Sequence, residues 1–375
     1  MSAPLFVVGR FPPPLDGQTV ATARLADLLD GNRAVHRIDV GAPEGDHVVA
    51  PGRGGIGRAL HALGLRRRIA RELEAAPGAP VLWPSISPSP LGHARDRLTV
   101  APAVGRAQPL VGVVHRGDFA RLFASPLTRA SGRQLVHRLA AIVFLTESLA
   151  AACAEDVPDA KRVVIPNTIS DDAIPARSTV EARWRARNAD APLRLLYLSA
   201  LIPSKGYASV LNATAALHAE GVPVETTFVG RWESEQAERA FHQRIAALGL
   251  GSVVSVRGGV GREAVGALHL GADLLVLPTT YPAEAQPLVV LEALAAGTPV
   301  LVSRHAGLPE MIEDGREGLF IRPDDPTDIA DAARRAARDW LSLSRAARTR
   351  FERAYSPSVV RDRWLDLLAR LPATF

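Results

Sequence analysis

The chain has 375 residues, of which 47% are apolar and 5% aromatic, and its formal net charge is +5. This length favours two domains, and the composition excludes a disordered or fibrous protein. The one cysteine, Cys153, cannot form an intrachain disulfide and suits a reducing compartment. No apolar run reaches the ~18–20 residues of a spanning helix, and no charged-then-apolar leader opens the chain. We therefore expect a cytoplasmic protein.

Twelve short apolar segments of β type alternate with helical patterns along the chain. The segments are 4–9, 34–40, 81–83, 109–115, 141–146, 162–165, 193–200, 224–230, 253–256, 273–278, 299–303 and 318–323. Strands alternating with helices are typical of parallel sheets with helices on both faces. The pattern predicts an α/β protein with two doubly wound, Rossmann-like domains that face each other across a cleft.

A polar, proline-containing stretch near 166–190 separates the first six segments from the last six and is interpreted as a linker. We place the N-terminal domain at 1–185 and the C-terminal domain at 186–355. An amphipathic helix is predicted at 358–371. Ligands of such sheets bind at the carboxyl ends of the strands, so the cleft is the expected site.

The charge is uneven between the two parts of the chain. Residues 1–170 carry 20 Lys and Arg against 14 Asp and Glu, whereas 171–375 carry 24 against 25. A basic N-terminal half indicates an anionic partner, such as phosphates or a membrane surface. The arginine-rich helical pattern at 57–75 can lie on an anionic membrane or pack as an ordinary surface helix. Nucleic acid is not expected, because no basic stripe interleaved with aromatic residues appears.

Two glutamates bracket an almost wholly apolar run in "EAQPLVVLEALAAGTPV", residues 284–300. Carboxylates are rarely buried without a partner, so Glu284 and Glu292 need something to face. Pro287 suits a first helical position, which places Glu284 in the loop before a helix and Glu292 inside it. The N–H groups of that helix N-terminus can hold a phosphate, and the carboxylates can accept from sugar hydroxyls. The alternative is a surface helix with solvated glutamates.

This stretch resembles the Glu-x7-Glu signature of the family-4 retaining glycosyltransferases, which have the GT-B fold. Further stretches similar to that family occur in the expected order: "FPPPLDGQTVATARLADLL" (11–29), "HRGDF" (115–119), "VIPNTI" (164–169), "YLSALIPSKGY" (197–207), "FVGRW" (228–232), "VRGGV" (256–260), "ADLLVLPT" (272–279) and "AGLPEMIEDGREGL" (306–319). The resemblance implies transfer of a sugar, with retention, from a nucleotide-diphosphate sugar. It also implies that a final segment, 356–375, crosses back to complete the N-terminal domain. The basic N-terminal half suggests a glycan or lipid-diphosphate acceptor in polysaccharide biosynthesis.

The resemblance also assigns roles to particular residues. Glu292 would hold the ribose, Glu284 the transferred sugar, and Lys205 the leaving diphosphate. Gly17 would let a loop approach the phosphates, and His115 would lie beside the reacting sugar unless it is a plain core histidine. The implied catalytic set is His115, Lys205 and Glu284, and the implied donor-binding set is Gly17, Lys205, Arg231, Val260, Glu284, Leu288, Val289 and Glu292.

Lys205 has independent support, because Lys161 is the only other lysine in an arginine-rich chain. A lysine at a strand end suggests that a compact charge is needed there. Many family members carry an arginine five residues earlier, where this chain has Ala200, and Arg231 or Arg116 are the candidates to replace it. The departure keeps a non-catalytic nucleotide-binding scaffold open as an alternative. A sugar-nucleotide epimerase of the same architecture and a glycan phosphorylase are further alternatives.

Cofactor and metal motifs are weak or absent. "GRGGIG" at 52–57 satisfies the dinucleotide fingerprint, but no well-formed strand precedes it and no acid follows a second strand. The chain has no Asp-x-Asp motif, and its ten histidines show no ligand-like spacing. We expect neither a bound cofactor nor a metal.

Overall fold

A computed structural model of the protein describes residues 3–13, 17–41, 55–84, 86–105, 108–188 and 191–371. The start of the glycine-rich stretch 52–57 lies outside these ranges. The chain divides into two compact units, Met1–Asn167 with Ser358–Phe375, and Thr168–Pro357.

The first unit contains a six-stranded parallel sheet. Its strands are β1 (Leu5–Gly9), β2 (Val35–Asp39), β3 (Val81–Trp83), β4 (Leu110–Val114), β5 (Ala141–Phe144) and β6 (Arg162–Val164), in the order β2-β1-β3-β4-β5-β6. Its helices before residue 168 are α1 (Gly17–Leu29), α2 (Gly55–Leu73), α3 (Pro90–Leu98), α4 (Val100–Ala103), α5 (Pro126–Arg138) and α6 (Glu147–Ala151), with 3₁₀ turns at Phe119–Phe123 and Asp159–Lys161. Strands β1, β3, β4 and β5 are buried along their whole length, as expected for a sheet covered on both faces.

The second unit contains another six-stranded parallel sheet. Its strands are β7 (Leu193–Leu198), β8 (Val224–Val229), β9 (Val254–Arg257), β10 (Leu274–Leu277), β11 (Val300–Ser303) and β12 (Gly318–Ile321), in the order β12-β11-β10-β7-β8-β9. Its helices are α7 (Arg177–Ala186), α8 (Tyr207–Ala219), α9 (Glu235–Ala247), α10 (Arg262–Gly271), α11 (Leu288–Ala295), α12 (Leu308–Met311), α13 (Pro326–Arg338) and α14 (Trp340–Arg350), with 3₁₀ turns at Asp171–Ala173 and Pro203–Lys205 and a π turn at Phe351–Tyr355.

The last helix, α15 (Pro357–Arg370), packs on the first unit. Four of its apolar side chains, Val360, Trp364, Leu367 and Leu368, are buried in one cluster with residues of β1, β4 and β5. The predicted return of the chain to the N-terminal domain is therefore confirmed. Each of the twelve predicted strands is present, and the prediction of two Rossmann-like domains is confirmed with them.

The stretch interpreted as a linker carries structure of the second unit. Helix α7 buries Val180 completely, and Trp184 Nε1 donates to Ser344 Oγ on α14 at 2.7 Å. The sequence did not predict this helix. Only one of its ten residues is buried and the others are largely polar, so the helix has no apolar stripe to detect. The units consequently divide at residue 167/168 instead of the 185/186 boundary expected from the sequence.

Two alternatives were predicted for helix α2, contact with an anionic membrane and packing as an ordinary surface helix, and the helix has features that suit both. Ile69 and Leu73 are buried in the first unit, so the helix packs as an ordinary surface helix along that stripe. Leu63 is 46% exposed, and Arg66, Arg67 and Arg71 are exposed beside it. The side chains of residues 55–61 lie outside the described part of the chain.

Candidate active site of the second unit

The strand order of the second sheet predicts where a ligand would bind. Counted from β7, the chain builds outward through β8 and β9 and then returns to the other side of β7 as β10, β11 and β12. The direction of winding therefore reverses between β7 and β10. Ligands of doubly wound sheets bind at such a switch point, beyond the carboxyl ends of the strands.

Lys205 lies at this point, on the loop that leaves β7. The loop forms a 3₁₀ turn over Pro203–Lys205, and Gly206 then adopts a left-handed conformation with φ of +79° before α8 begins. A Cβ at Gly206 would lie 2.4 Å from the carbonyl oxygen of Pro278. The loop therefore rests directly on the end of β10, and only glycine allows that contact.

Glu284 lies on the opposite side of the switch point, in the loop between β10 and α11. Its residue is 7% exposed, and its carboxylate accepts from Lys205 Nζ at 2.5 Å and from Thr279 Oγ1 at 3.2 Å. The ammonium of Lys205 also lies 4.8 Å from the ring centroid of Tyr281. A buried carboxylate with a cation and a hydroxyl as partners is far less costly than an unpaired one.

Helix α11 begins at Leu288, and Pro287 precedes it as the N-cap residue instead of occupying the predicted first helical position. Pro287 has no side-chain oxygen to cap the helix, so the first amides of the helix have no side-chain cap. Glu292 follows Leu288 by four residues and therefore lies on the same face of the helix. Glu292, Leu288 and Val289 are half-buried, while the opposite face is packed in the core.

Arg231 and Val260 extend the same edge of the sheet. Arg231 follows β8, and its carbonyl accepts from the amide of Leu201 at 2.9 Å, so it stands beside the loop that carries Lys205. Its side chain passes so close to Gly259 that a Cβ there would lie 2.9 Å from Arg231 Cγ. Val260, after β9, is 37% exposed. The loops of four neighbouring strands thus bring Lys205, Arg231, Val260 and Glu284 to one edge.

Ala200 leaves the lysine loop without a second cation. Its carbonyl accepts from the hydroxyl of Tyr197 at 2.9 Å, and the residue itself is exposed. Of the two arginines considered as replacements, Arg116 is engaged by Asp118 through two bonds of 2.8 Å. Arg231 is exposed and has no carboxylate partner among the described residues. Arg231 is therefore the cation that remains available near Lys205.

Two predicted residues belong to the first unit. Gly17 begins α1 and is exposed, with no atom within 4 Å of a Cβ placed there, so the fold of this unit does not itself demand a glycine. His115 directly follows β4. Both of its ring nitrogens are buried and lack hydrogen-bond partners in the described ranges. Burial lowers the pKa of His115 to about 4, so the imidazole is neutral at physiological pH.

Thr279 and Tyr281 are site residues that the sequence reasoning missed. Both lie in the loop between β10 and Glu284, and Tyr281 is held through its carbonyl, which bonds His305 Nε2 at 2.8 Å. The available signal was their position after a buried strand, which marks them as strand-end residues. The structure adds no metal site: no group of three or more His, Cys, Asp or Glu side chains in the described ranges is placed to hold an ion. Nor does any described helix have the length and apolar character needed to cross a bilayer.

Comparison with known proteins places these features in a family context. Residues 179–354 match the family model described as "Glycosyl transferases group 1". The chain is 34% identical to the D-inositol 3-phosphate glycosyltransferase of Streptomyces scabiei over 179 residues, which cover 46% of this chain and 40% of that protein. It is 28% identical to the glycogen synthase of Mycobacterium tuberculosis over 276 residues, covering 70% and 64% of the two chains. The chain thus spans about two fifths to two thirds of these relatives.

Solved structures match over the whole fold. The crystal structure of Anabaena HepE in complex with UDP has a TM-score of 0.75 at 17% identity, covering 98% of this chain and all of that one. Sucrose-phosphate synthase from Thermosynechococcus elongatus has the same TM-score and identity, covering 98% and 99%. At this identity the likeness concerns the fold, which is GT-B. Residues 179–354 are therefore similar in sequence to the group 1 glycosyltransferases, and the chain shares the fold of these solved structures.

Proposed function

We propose that the protein is a retaining, metal-independent glycosyltransferase that moves a sugar from a nucleotide-diphosphate sugar to a glycan or lipid-linked acceptor. The observation that carries this proposal is the Lys205–Glu284 pair at the switch point of the second sheet, beside the uncapped N-terminus of α11. The UDP in the HepE structure supports a nucleotide donor for a chain of the same fold.

The donor fits the chemistry of this edge. Lys205, Arg231 and the first amides of α11 supply positive charge for a diphosphate. Glu292, one turn into the helix, accepts from the ribose hydroxyls, and Glu284 accepts from hydroxyls of the transferred sugar. Fixed cations and amides that stabilise the developing charge of a leaving diphosphate perform the task that a metal performs in other transferases.

The proposed transfer step needs no nucleophile from the protein. The bond between the anomeric carbon and the diphosphate oxygen breaks, and the acceptor hydroxyl forms its bond to the same face of that carbon. The hydroxyl proton passes to the departing diphosphate. His115 is neutral, and its ring nitrogens lack partners within the described ranges, so it supplies one donor and one acceptor for sugar hydroxyls. We assign the donor to the second unit and the acceptor to the first.

The acceptor side is proposed to work at an anionic membrane surface, with the protein cytoplasmic and peripherally attached. Helix α2 presents exposed Leu63 and the exposed Arg66, Arg67 and Arg71. The neighbouring helix α3 adds Leu91 and Leu98, which are 82% and 56% exposed. Exposed leucines beside arginines favour the interface of an anionic bilayer. Such attachment would suit a lipid-linked acceptor of polysaccharide synthesis.

The activity is tested by supplying UDP-, GDP- and ADP-sugars with candidate acceptors in buffer containing a metal chelator. The proposal expects nucleotide release that requires an acceptor, with a product whose anomeric configuration matches that of the donor. Interconversion of the sugar nucleotide without an acceptor would support an epimerase instead. Nucleotide binding with no turnover on any acceptor would support a scaffold. Binding to vesicles with and without anionic lipid, compared between the wild type and R66Q/R67Q/R71Q, tests the membrane contact separately.

A further inference from the structure

A basic cavity lies in the second unit, away from the strand ends that carry the proposed donor site. Its volume is about 480 Å³, and it lies between α7 and α14. Its charged wall consists of Arg177, Glu181, Arg185, Arg345, Arg348 and Glu352. Four guanidinium groups against two carboxylates leave this wall with a net charge of +2.

The two carboxylates form ion pairs with two of the arginines. Arg177 bonds Glu181 at 2.9 Å and Glu352 at 3.3 Å, and Arg348 Nε donates to Glu352 at 2.8 Å. Arg185 and Arg345 are exposed, and neither has an acidic partner in the described ranges. The excess charge of the cavity therefore resides on two guanidinium groups that are available to a ligand.

The lining of the cavity includes an arginine that is held in place by hydrogen bonds. Arg348 is only 7% exposed, and its Nη1 donates to the carbonyls of Pro175, at 3.0 Å, and Ala295. Its Nη2 has no hydrogen-bond partner among the described residues. A largely buried arginine that is fixed by three hydrogen bonds therefore lines this basic cavity.

Trp184 gives the cavity an apolar wall. Its indole Nε1 is fixed by Ser344 Oγ, and the guanidinium of Arg345 lies 5.6 Å from its ring centroid. The combination of a held aromatic ring and arginines suits an organic group that carries a phosphate, because guanidinium groups bind phosphate through paired hydrogen bonds. A phosphomonoester, with a charge of about −1.5 to −2 at pH 7, matches the excess charge of the wall better than a monocarboxylate does.

We propose that this cavity is a binding site for a small phosphomonoester, such as a sugar phosphate, separate from the donor site. Because it lies against the residues that hold the C-terminal end of α11, and not at the strand ends, its ligand is an additional ligand of the domain and not the transferred sugar. The proposal does not depend on the transferase activity.

The test uses the full-length protein with ribose 5-phosphate as the probe and with inorganic phosphate and ribose as comparisons. The donor site is occupied by a saturating concentration of whichever of UDP, GDP and ADP binds the protein. Affinity is measured by calorimetry and by the fluorescence of Trp184, with W184F to identify that signal. R185Q/R345Q removes the two available charges, and R335Q/R338Q is the matched control, because it removes two exposed arginines from α13 that do not line the cavity.

We expect ribose 5-phosphate to bind in the presence of that nucleoside diphosphate, with an affinity at least tenfold weaker in R185Q/R345Q and unchanged in R335Q/R338Q. Ribose should not bind. Equal affinity in both double variants would overturn the proposal, as would equal binding of ribose or no binding at millimolar concentration. Displacement of the probe by the nucleoside diphosphate would place the probe in the donor site and would also overturn the proposal. Titrations of the same samples with the nucleoside diphosphate report the donor site independently.

Discussion

The ammonium of Lys205 lies 2.5 Å from the carboxylate of Glu284, and this contact joins residues 79 positions apart in the chain. It bridges the loops that leave β7 and β10, the two strands between which the sheet reverses its winding. Both side chains are largely buried, at 12% and 8% exposure. The pair links both loops, and in the proposed donor site a diphosphate would share Lys205 with Glu284.

Lys205→Ala should lower the kcat/KM for the nucleotide sugar by about 10²–10³, since removing one preorganised group that stabilises transition-state charge has an effect of this size. Lys205→Arg should recover only part of the loss, because a planar guanidinium does not replace a compact ammonium between Glu284 and Tyr281. Initial rates over a range of donor concentrations provide the check. Equal rates for the arginine variant and the wild type would show that any cation suffices.

Gly206→Ala should destabilise the second unit and displace Lys205. The residue has φ of +79°, and a Cβ would meet the carbonyl of Pro278 at 2.4 Å, so both backbone strain and a clash are introduced. Gly249→Ala is the matched control, because its φ is +68° and its Cβ would meet nothing within 4 Å. The control should lose about 1–2 kcal/mol in urea unfolding without loss of turnover, whereas Gly206→Ala should lose more stability and most activity. Similar effects in both variants would contradict the close approach.

Arg183→Met should loosen the C-terminal end of α11. Arg183 donates to the carbonyls of Ala296, at 3.1 Å, Gly297, at 3.4 Å, and Ala272, and to Thr298 Oγ1. A cation at this end also faces the negative end of the helix dipole. Loss of these charge-assisted bonds should cost about 1.5–3 kcal/mol in urea unfolding and raise the KM for the donor.

Arg185→Met, two residues further along α7 and exposed, is the control for that variant. Its unfolding free energy should change by less than about 0.5 kcal/mol. A comparable loss of unfolding free energy in both variants would contradict the prediction, because it would mean that the substitutions disturb α7 itself and not the end of α11.

His269 should make the second unit sensitive to acid. It is completely buried, and burial lowers its pKa to about 3. The unfolded chain, with a histidine pKa near 6.5, therefore binds the proton first as the pH falls, and the free energy of unfolding decreases by about 1.4 kcal/mol per pH unit. His269→Leu should remove this contribution, so that its loss of stability between pH 6.5 and 5 is smaller than that of the wild type by about 2 kcal/mol. Parallel stability profiles for the two proteins would contradict the pKa.

The strands could be predicted from the sequence because each one is a short apolar run bounded by turn residues. Segments such as 273–278 and 299–303 proved to be β10 and β11, with small differences at their ends. In a parallel sheet buried on both faces such runs are nearly continuous, which makes them easy to detect. The helix after β10 was predicted from Pro287, which precedes its first residue, Leu288.

Helix α7 and its contacts could not be predicted in this way. Its stability depends on Val180 and on the bonds of Arg183 and Trp184 to α11 and α14, which are tertiary contacts with no local periodic signal. The pairing of Lys205 with Glu284 could not be predicted from the sequence either, because it depends on which strands become neighbours in the sheet. The roles of Glu284 and Glu292 themselves remain predictions.

The most direct test of the donor site compares the binding and turnover of nucleoside diphosphates and their sugars in the wild type, Glu292→Gln and Glu284→Gln. The account predicts that one of UDP, GDP and ADP binds the wild type and binds Glu292→Gln at least tenfold more weakly. Glu284→Gln should bind the diphosphate as tightly as the wild type or more tightly, since Lys205 is released, and should lose most of its turnover. Three proteins with the same affinity and the same rate would contradict it.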